Sequence, residues 1–146
     1  MTIDRNTWNA ANTGLQYDYS AMIYYTNNST FTNNVFNETG GYAMRFYRCN
    51  YYNTVSGQFL IANNAVNGNQ KYTYVYPLYI YQGRNFEITY NSIWMNGNSL
   101  STGYGLYIYY TTAGVNITNN VFRNDASSTR YDTYNFISLT SVSNVD

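Results

Sequence analysis

The side chains that could do chemistry are few and far apart. Seven acidic residues, Asp4, Asp18, Glu38, Glu87, Asp125, Asp132 and Asp146, face seven Lys and Arg, one cysteine, Cys49, and no histidine in 146 residues. A carboxylate pair that hydrolyses glycosides must lie within about 5 to 10 Å, and eliminative cleavage needs a base beside a cation or metal. The densest charge group is Arg123, Asp125, Arg130 and Asp132 in RNDASSTRYD. Opposite charges crowded into a polar corner are expected to be solvated ion pairs, and Arg84 with Glu87 in QGRNFE reads the same way. Cys49 follows Arg48, a neighbour that would lower a thiol pKa. With no histidine as base a nucleophilic role is not expected, and one Cys with scattered carboxylates is a poor metal set. No catalytic residue, metal or cofactor is expected.

What surrounds these groups is polar, neutral and aromatic. Charged residues make up 10% of the chain and aromatic residues 20%, including 20 tyrosines, where an average protein has roughly 25% charge. The formal net charge is zero and no basic run occurs, so the electrostatic footprint of a nucleic-acid partner is missing. No apolar span of about 18 residues is present, so membrane insertion is not expected. A surface of Asn, Thr, Ser and Tyr in place of Lys and Glu points to an extracellular or cell-surface setting, as in bacterial surface and matrix proteins.

The order in the chain is an internal repeat. FTNNVFN (31–37), IANNAVN (61–67), ITYNSIWMN (88–96) and ITNNVFRN (117–124) align with IDRNTWN (3–9), each with an apolar residue, two positions, an asparagine, and a larger apolar residue after it. The markers Asn6, Asn34, Asn64, Asn91 and Asn120 are spaced by 28, 30, 27 and 29 residues. Ahead of each later marker lies a second apolar alternation: AMIYY (21–25), YAMRFY (42–47), PLYIY (77–81) and GLYIYY (105–110), with NFISL (135–139) closing the series. Each repeat therefore carries at least two strands. RCNYYNTVSG adds about six residues to one corner and predicts a bulge there, and the single proline, Pro77, stands where a strand begins. No window has a 3.6-residue period, so essentially no helix is expected.

Short strands recurring every 28 or so residues, with polar corners and no helix, suit a coil in which each strand pairs with its equivalent one turn later. Period-two alternation places Ile3, Phe31, Ile61, Ile88 and Ile117 in one inner column and Trp8, Phe36, Val66, Ile93 and Phe122 in another. The marker asparagines would stack at a bend as a ladder, each amide bonding the backbone and the amide of the next layer.

On these motifs, Val115 to Phe122 (VNITNNVF) above all, the chain resembles the right-handed parallel β-helix superfamily with pectate-lyase-like and NosD-like repeats. The resemblance implies one all-β domain over residues 1–146: a right-handed parallel β-helix of about five turns, about 28 residues per turn. Enzymes of that superfamily carry calcium-binding acidic residues with Arg or Lys on one outer face, or clustered aspartates with a histidine. This chain lacks both patterns, and the same fold also carries adhesins and matrix proteins.

Two surfaces remain as candidates. Tyr24, Tyr47, Tyr81 and Tyr109 with Tyr79 and Tyr107 form an outward aromatic stripe, which either supports the sheet or packs against a sugar or another fibre. The terminal layers, with Ile3 and Trp8 at one end and Phe136, Ile137, Leu139 and Val145 at the other, look like interior copies and show no obvious end cap. The chain's start and finish read as complementary halves of one turn, so copies or tandem modules are expected to stack end to end. The expectation is a non-catalytic extracellular subunit or module of a filament or long surface fibre, with itself as partner. The alternative is a carbohydrate-binding or adhesin module of a larger secreted polysaccharide-acting protein, with a polysaccharide as partner.

Overall fold

A computed structural model describes residues 1–9, 19–39, 41–52, 56–69, 76–96, 104–110, 113–125 and 135–140. Among them are fifteen strands and no helix. One sheet stacks β1 (Thr2–Asp4), β4 (Thr30–Thr32), β7 (Phe59–Ala62), β10 (Arg84–Thr89) and β13 (Ala113–Thr118) in that order. A second stacks β2 (Thr7–Asn9), β5 (Val35–Thr39), β8 (Ala65–Asn69), β11 (Ser92–Asn96) and β14 (Val121–Asn124). The third stacks β3 (Tyr19–Tyr24), β6 (Tyr42–Tyr47), β9 (Leu78–Tyr81), β12 (Tyr104–Tyr109) and β15 (Asn135–Thr140). Every pairing is parallel and joins a strand to the equivalent strand one repeat away. The protein is a parallel β-solenoid.

The repeat thus resolves into three strands, because each asparagine-containing segment is broken at its marker. In FTNNVFN, β4 ends at Thr32 and β5 begins at Val35, and the chain turns between them. The turn needs a left-handed residue, and the residue before every marker supplies it: Arg5, Asn33, Asn63, Tyr90 and Asn119 have φ between 55° and 56°. Asparagine tolerates this region better than other side chains, which explains the Asn-Asn doublets at 33–34, 63–64 and 119–120. A second left-handed position closes the third sheet at Tyr25, Arg48, Gln82 and Tyr110.

The inner columns are as the alternation requires. Phe31, Ile61 and Ile88 are buried in the first sheet, Phe36, Val66 and Ile93 in the second, and Met44, Phe46, Leu78, Ile80, Leu106 and Ile108 in the third. The rings of Phe31, Phe59 and Phe86 cluster around Phe46, with Phe31 and Phe59 meeting it edge-on at 5.4 and 5.3 Å. Although each sheet is five strands deep, the core is sealed through about three turns. In the outer layers Ile3, Trp8, Ile117 and Phe122 pack against the core but stay partly exposed. The five equal turns expected from the repeat therefore give way to about three closed ones flanked by layers whose described core columns stay partly exposed.

In the inserted corner, among the described residues, Cys49 and Asn50 turn inward while Tyr52 is exposed. Cys49 and Asn50 are fully buried there, and Asn50 accepts from the Asn28 backbone at 2.7 Å while its own amide donates to the Gly57 carbonyl at 3.1 Å. Pro77 immediately precedes β9, and its carbonyl accepts from Met44 N–H at 2.9 Å. Phe46→Ala is expected to cost about 3 to 5 kcal/mol in urea unfolding. Val121→Ala, at a position 62% exposed, should stay within about 0.5 kcal/mol of the parent.

Candidate functional site

The asparagine markers form a continuous polar ladder. Asn6 donates through both its backbone N–H and Nδ2 to Asn34 Oδ1, each at 3.1 Å. Asn34 does the same to Asn64 Oδ1 at 3.0 Å, Asn64 to Asn91 Oδ1 at 3.1 and 2.9 Å, and Asn91 to Asn120 Oδ1 at 2.9 Å. The second amide hydrogen turns back to a strand carbonyl: Asn34 to Ile3, Asn64 to Phe31, Asn91 to Ile61 and Asn120 to Ile88. Asn34, Asn64 and Asn91 are buried, so these bonds satisfy polar groups that water cannot reach. All five predicted residues are brought together, and the asparagine-to-asparagine bonds all run one way, from lower to higher residue number.

The tyrosine stripe is also assembled, along the outer face of the third sheet. Tyr24, Tyr47, Tyr81 and Tyr109 follow one another at 5.4, 5.1 and 5.6 Å, and Tyr79 stacks on Tyr107 at 5.3 Å with planes 19° apart. A parallel column, Tyr19, Tyr42, Tyr76 and Tyr104, was not singled out from the sequence, and its rings lie 4.9, 5.3 and 5.6 Å apart. Arg45 lies among them, its guanidinium 5.3 to 5.6 Å from the rings of Tyr19, Tyr42 and Tyr79. Tyr47 lies on Tyr81 with planes 11° apart, Tyr76 on Tyr104 at 10° and Tyr79 on Tyr107 at 19°, so these rings cover one another's faces. Rings stacked from layer to layer support the parallel sheet.

Two of these phenols, Tyr79 and Tyr109, hold their protons tightly. Burial, reinforced by neighbouring phenols, pushes Tyr79 well above the ordinary tyrosine range. Tyr109 is pushed up to about 12, first by its hydrogen bond with Tyr110.

The isolated charged groups are tied into local contacts. Asp4 accepts from Asn33 and Thr32, both at 2.7 Å, and these bonds hold its carboxyl below the usual range. Glu87, expected to pair with Arg84, is held by amides from the adjacent layers, Gln58 at 3.2 Å and Asn116 at 2.8 Å. Arg123 meets Asp125 at 2.6 Å, and Asp125 also accepts from the Trp94 indole at 3.1 Å. Arg130 and Asp132 lie outside the described residues. Burial pushes the Cys49 thiol up, and the Arg48 guanidinium expected to activate it donates instead to Gln82 and Tyr25. Among the described residues no three His, Cys, Asp or Glu side chains gather as a metal site.

A shallow groove of about 340 Å³ crosses the second sheet, with Val35, Ala65, Ser92, Trp94 and Val121 along it. Arg123 lies 5.3 Å from the centre of the Trp94 ring, so that ring too has a side chain stacked on it.

At the end layers Trp8 stacks on Phe36 at 4.5 Å with planes 4° apart. The backbone of Phe136, Ile137 and Leu139 is in β15, paired with β12; their side chains, and Val145, lie outside the described residues. Comparison with protein-family models, with curated proteins and with solved structures finds no match for this chain.

Two measurements check this site. Asn64→Ala orphans buried groups on both sides of the ladder, so equilibrium unfolding should show a loss of about 1 to 3 kcal/mol; Asn6→Ala, at an exposed position, should lose much less. Tyr109 binds its proton more tightly folded than unfolded, so its contribution to stability is fully present below pH 10 and fades as the pH rises to about 12. An alkaline titration followed by phenolate absorbance and circular dichroism together should show Tyr109 ionising, and its stabilising contribution fading, toward the upper end of that window.

Proposed function

We propose that this chain is a structural, non-catalytic subunit or module that stacks end to end into a filament or a long surface or matrix fibre. The observation that carries the reading is the state of the core columns at the outer layers. Ile3, Trp8, Ile117 and Phe122 occupy the columns that are sealed in the interior, yet they remain partly exposed. Covering them with another layer removes apolar surface from water at roughly 25 cal/mol per Å², and it gives a further neighbour to strands that are sheet edges among the described residues.

The same reading places the chain outside the cell, on a bacterial surface or in a matrix, and within the right-handed parallel β-helix superfamily with pectate-lyase-like and NosD-like repeats. Its support is compositional: amides, hydroxyls and phenols do the work that Lys and Glu do on an average surface, and the layers repeat the superfamily's asparagine motif. A role in polysaccharide binding has weaker support, since the tyrosine faces that would stack on a sugar are covered by one another.

Trp8→Asp and Phe122→Asp place a carboxylate on the surfaces proposed to meet. The parent chain is expected to sediment as long oligomers and to appear as filaments in electron micrographs. Each variant should shift toward monomer while keeping a β-sheet circular dichroism spectrum. A parent chain that stays monomeric over a wide concentration range would falsify the reading.

A further inference from the structure

We infer that the contact between copies is polar and in register: the layer bearing Asn120 in one copy meets the layer bearing Asn6 in the next, and the asparagine ladder continues across the junction. This rests on the end-to-end reading above and fixes which ends meet. The argument comes from the direction of the ladder. At every interior step the lower-numbered asparagine gives its backbone N–H and Nδ2 to the Oδ1 of the higher-numbered one.

That direction makes the two ends unlike. Among the described residues no group donates to Asn6 Oδ1, and none accepts from the Asn120 backbone N–H. One end therefore offers an acceptor and the other a donor, at the same place on the cross-section. Joining two Asn6 ends would set acceptor against acceptor, and joining two Asn120 ends would set donor against donor. Only the head-to-tail arrangement pairs them, and polar groups left unpaired in a closed junction are disfavoured.

The apolar columns agree with that choice. Phe122 and Trp8 belong to one column, in which Trp8 already lies flat on Phe36 at 4.5 Å. In a head-to-tail junction the open side of Trp8 would receive Phe122 of the other copy, and Ile3 would receive Ile117 in the adjoining column. The edge strands also remain parallel, as at every step within the chain.

Cysteine pairs read the arrangement directly. Thr7, Val35, Ala65, Ser92 and Val121 form one outward column, so the next copy's Thr7 should follow Val121 at one strand spacing, about 4.8 Å and within reach of a disulfide. Both positions are exposed, and the native Cys49 is buried. Full-length Thr7→Cys and Val121→Cys chains of different mass are mixed in a glutathione redox buffer and resolved without reduction. The expected product is the T7C–V121C heterodimer alone, with neither variant linking to itself.

T7C linked to T7C, or V121C to V121C, would overturn the polarity while leaving end-to-end stacking intact. Filaments without the heterodimer would overturn the register. Absence of both filaments and cross-links would remove the stacking itself.

Discussion

Everything in this protein depends on keeping successive layers in register. A parallel sheet bonds each strand to both neighbours, so its side chains line up in columns only if every layer repeats the previous one without slipping, and a one-residue slip would turn a core column out to solvent. The asparagine ladder enforces that register at the bend between the first and second sheets. Each amide spans two layers and simultaneously bonds a strand carbonyl, so a layer out of step would leave buried donors and acceptors unpaired.

From that constraint the distribution of residue types follows. Aliphatic and phenylalanine side chains fill the interior because each column sees the same environment in every sealed layer. Tyrosines occupy the outer face of the third sheet, where a ring stacked on a ring hides its faces. Departures from the repeat lie at a register shift between Phe36 and Thr39 in the β5–β8 pair and in the inserted corner. The corner holding Cys49 absorbs an insertion by burying Asn50, whose amide bridges the backbone of the layer before and the far side of the insert.

The ladder also gives the solenoid a direction. A stack of undirected apolar layers could grow with either end against either end, whereas asparagine-to-asparagine bonds accepted always by the higher-numbered Oδ1 distinguish the two ends. Directionality in an assembly is usually set by shape. Here a row of identical amides inside the fold would set it.

Much of this was legible in the sequence. Spacings near 28 residues, the alternation of apolar positions and the repeated asparagine identify a parallel coil, its inner columns and its ladder, because a repeating layer must write the same pattern at the same period. The Asn-Asn doublets were visible too, but only the backbone shows that the first asparagine supplies a left-handed turn and the second the ladder. The split of each asparagine segment into two strands has the same origin, since a bend confined to one residue interrupts no hydrophobic pattern. Other features depend on distances across layers that no local pattern encodes. The grip of Gln58 and Asn116 on Glu87, the burial that pushes the Cys49 thiol up, and the covering of tyrosine faces were all decided by the tertiary structure. Residue types and their period determined what each layer is made of; contacts between residues nearly thirty positions apart decided which groups are satisfied, which are covered and which way the stack points.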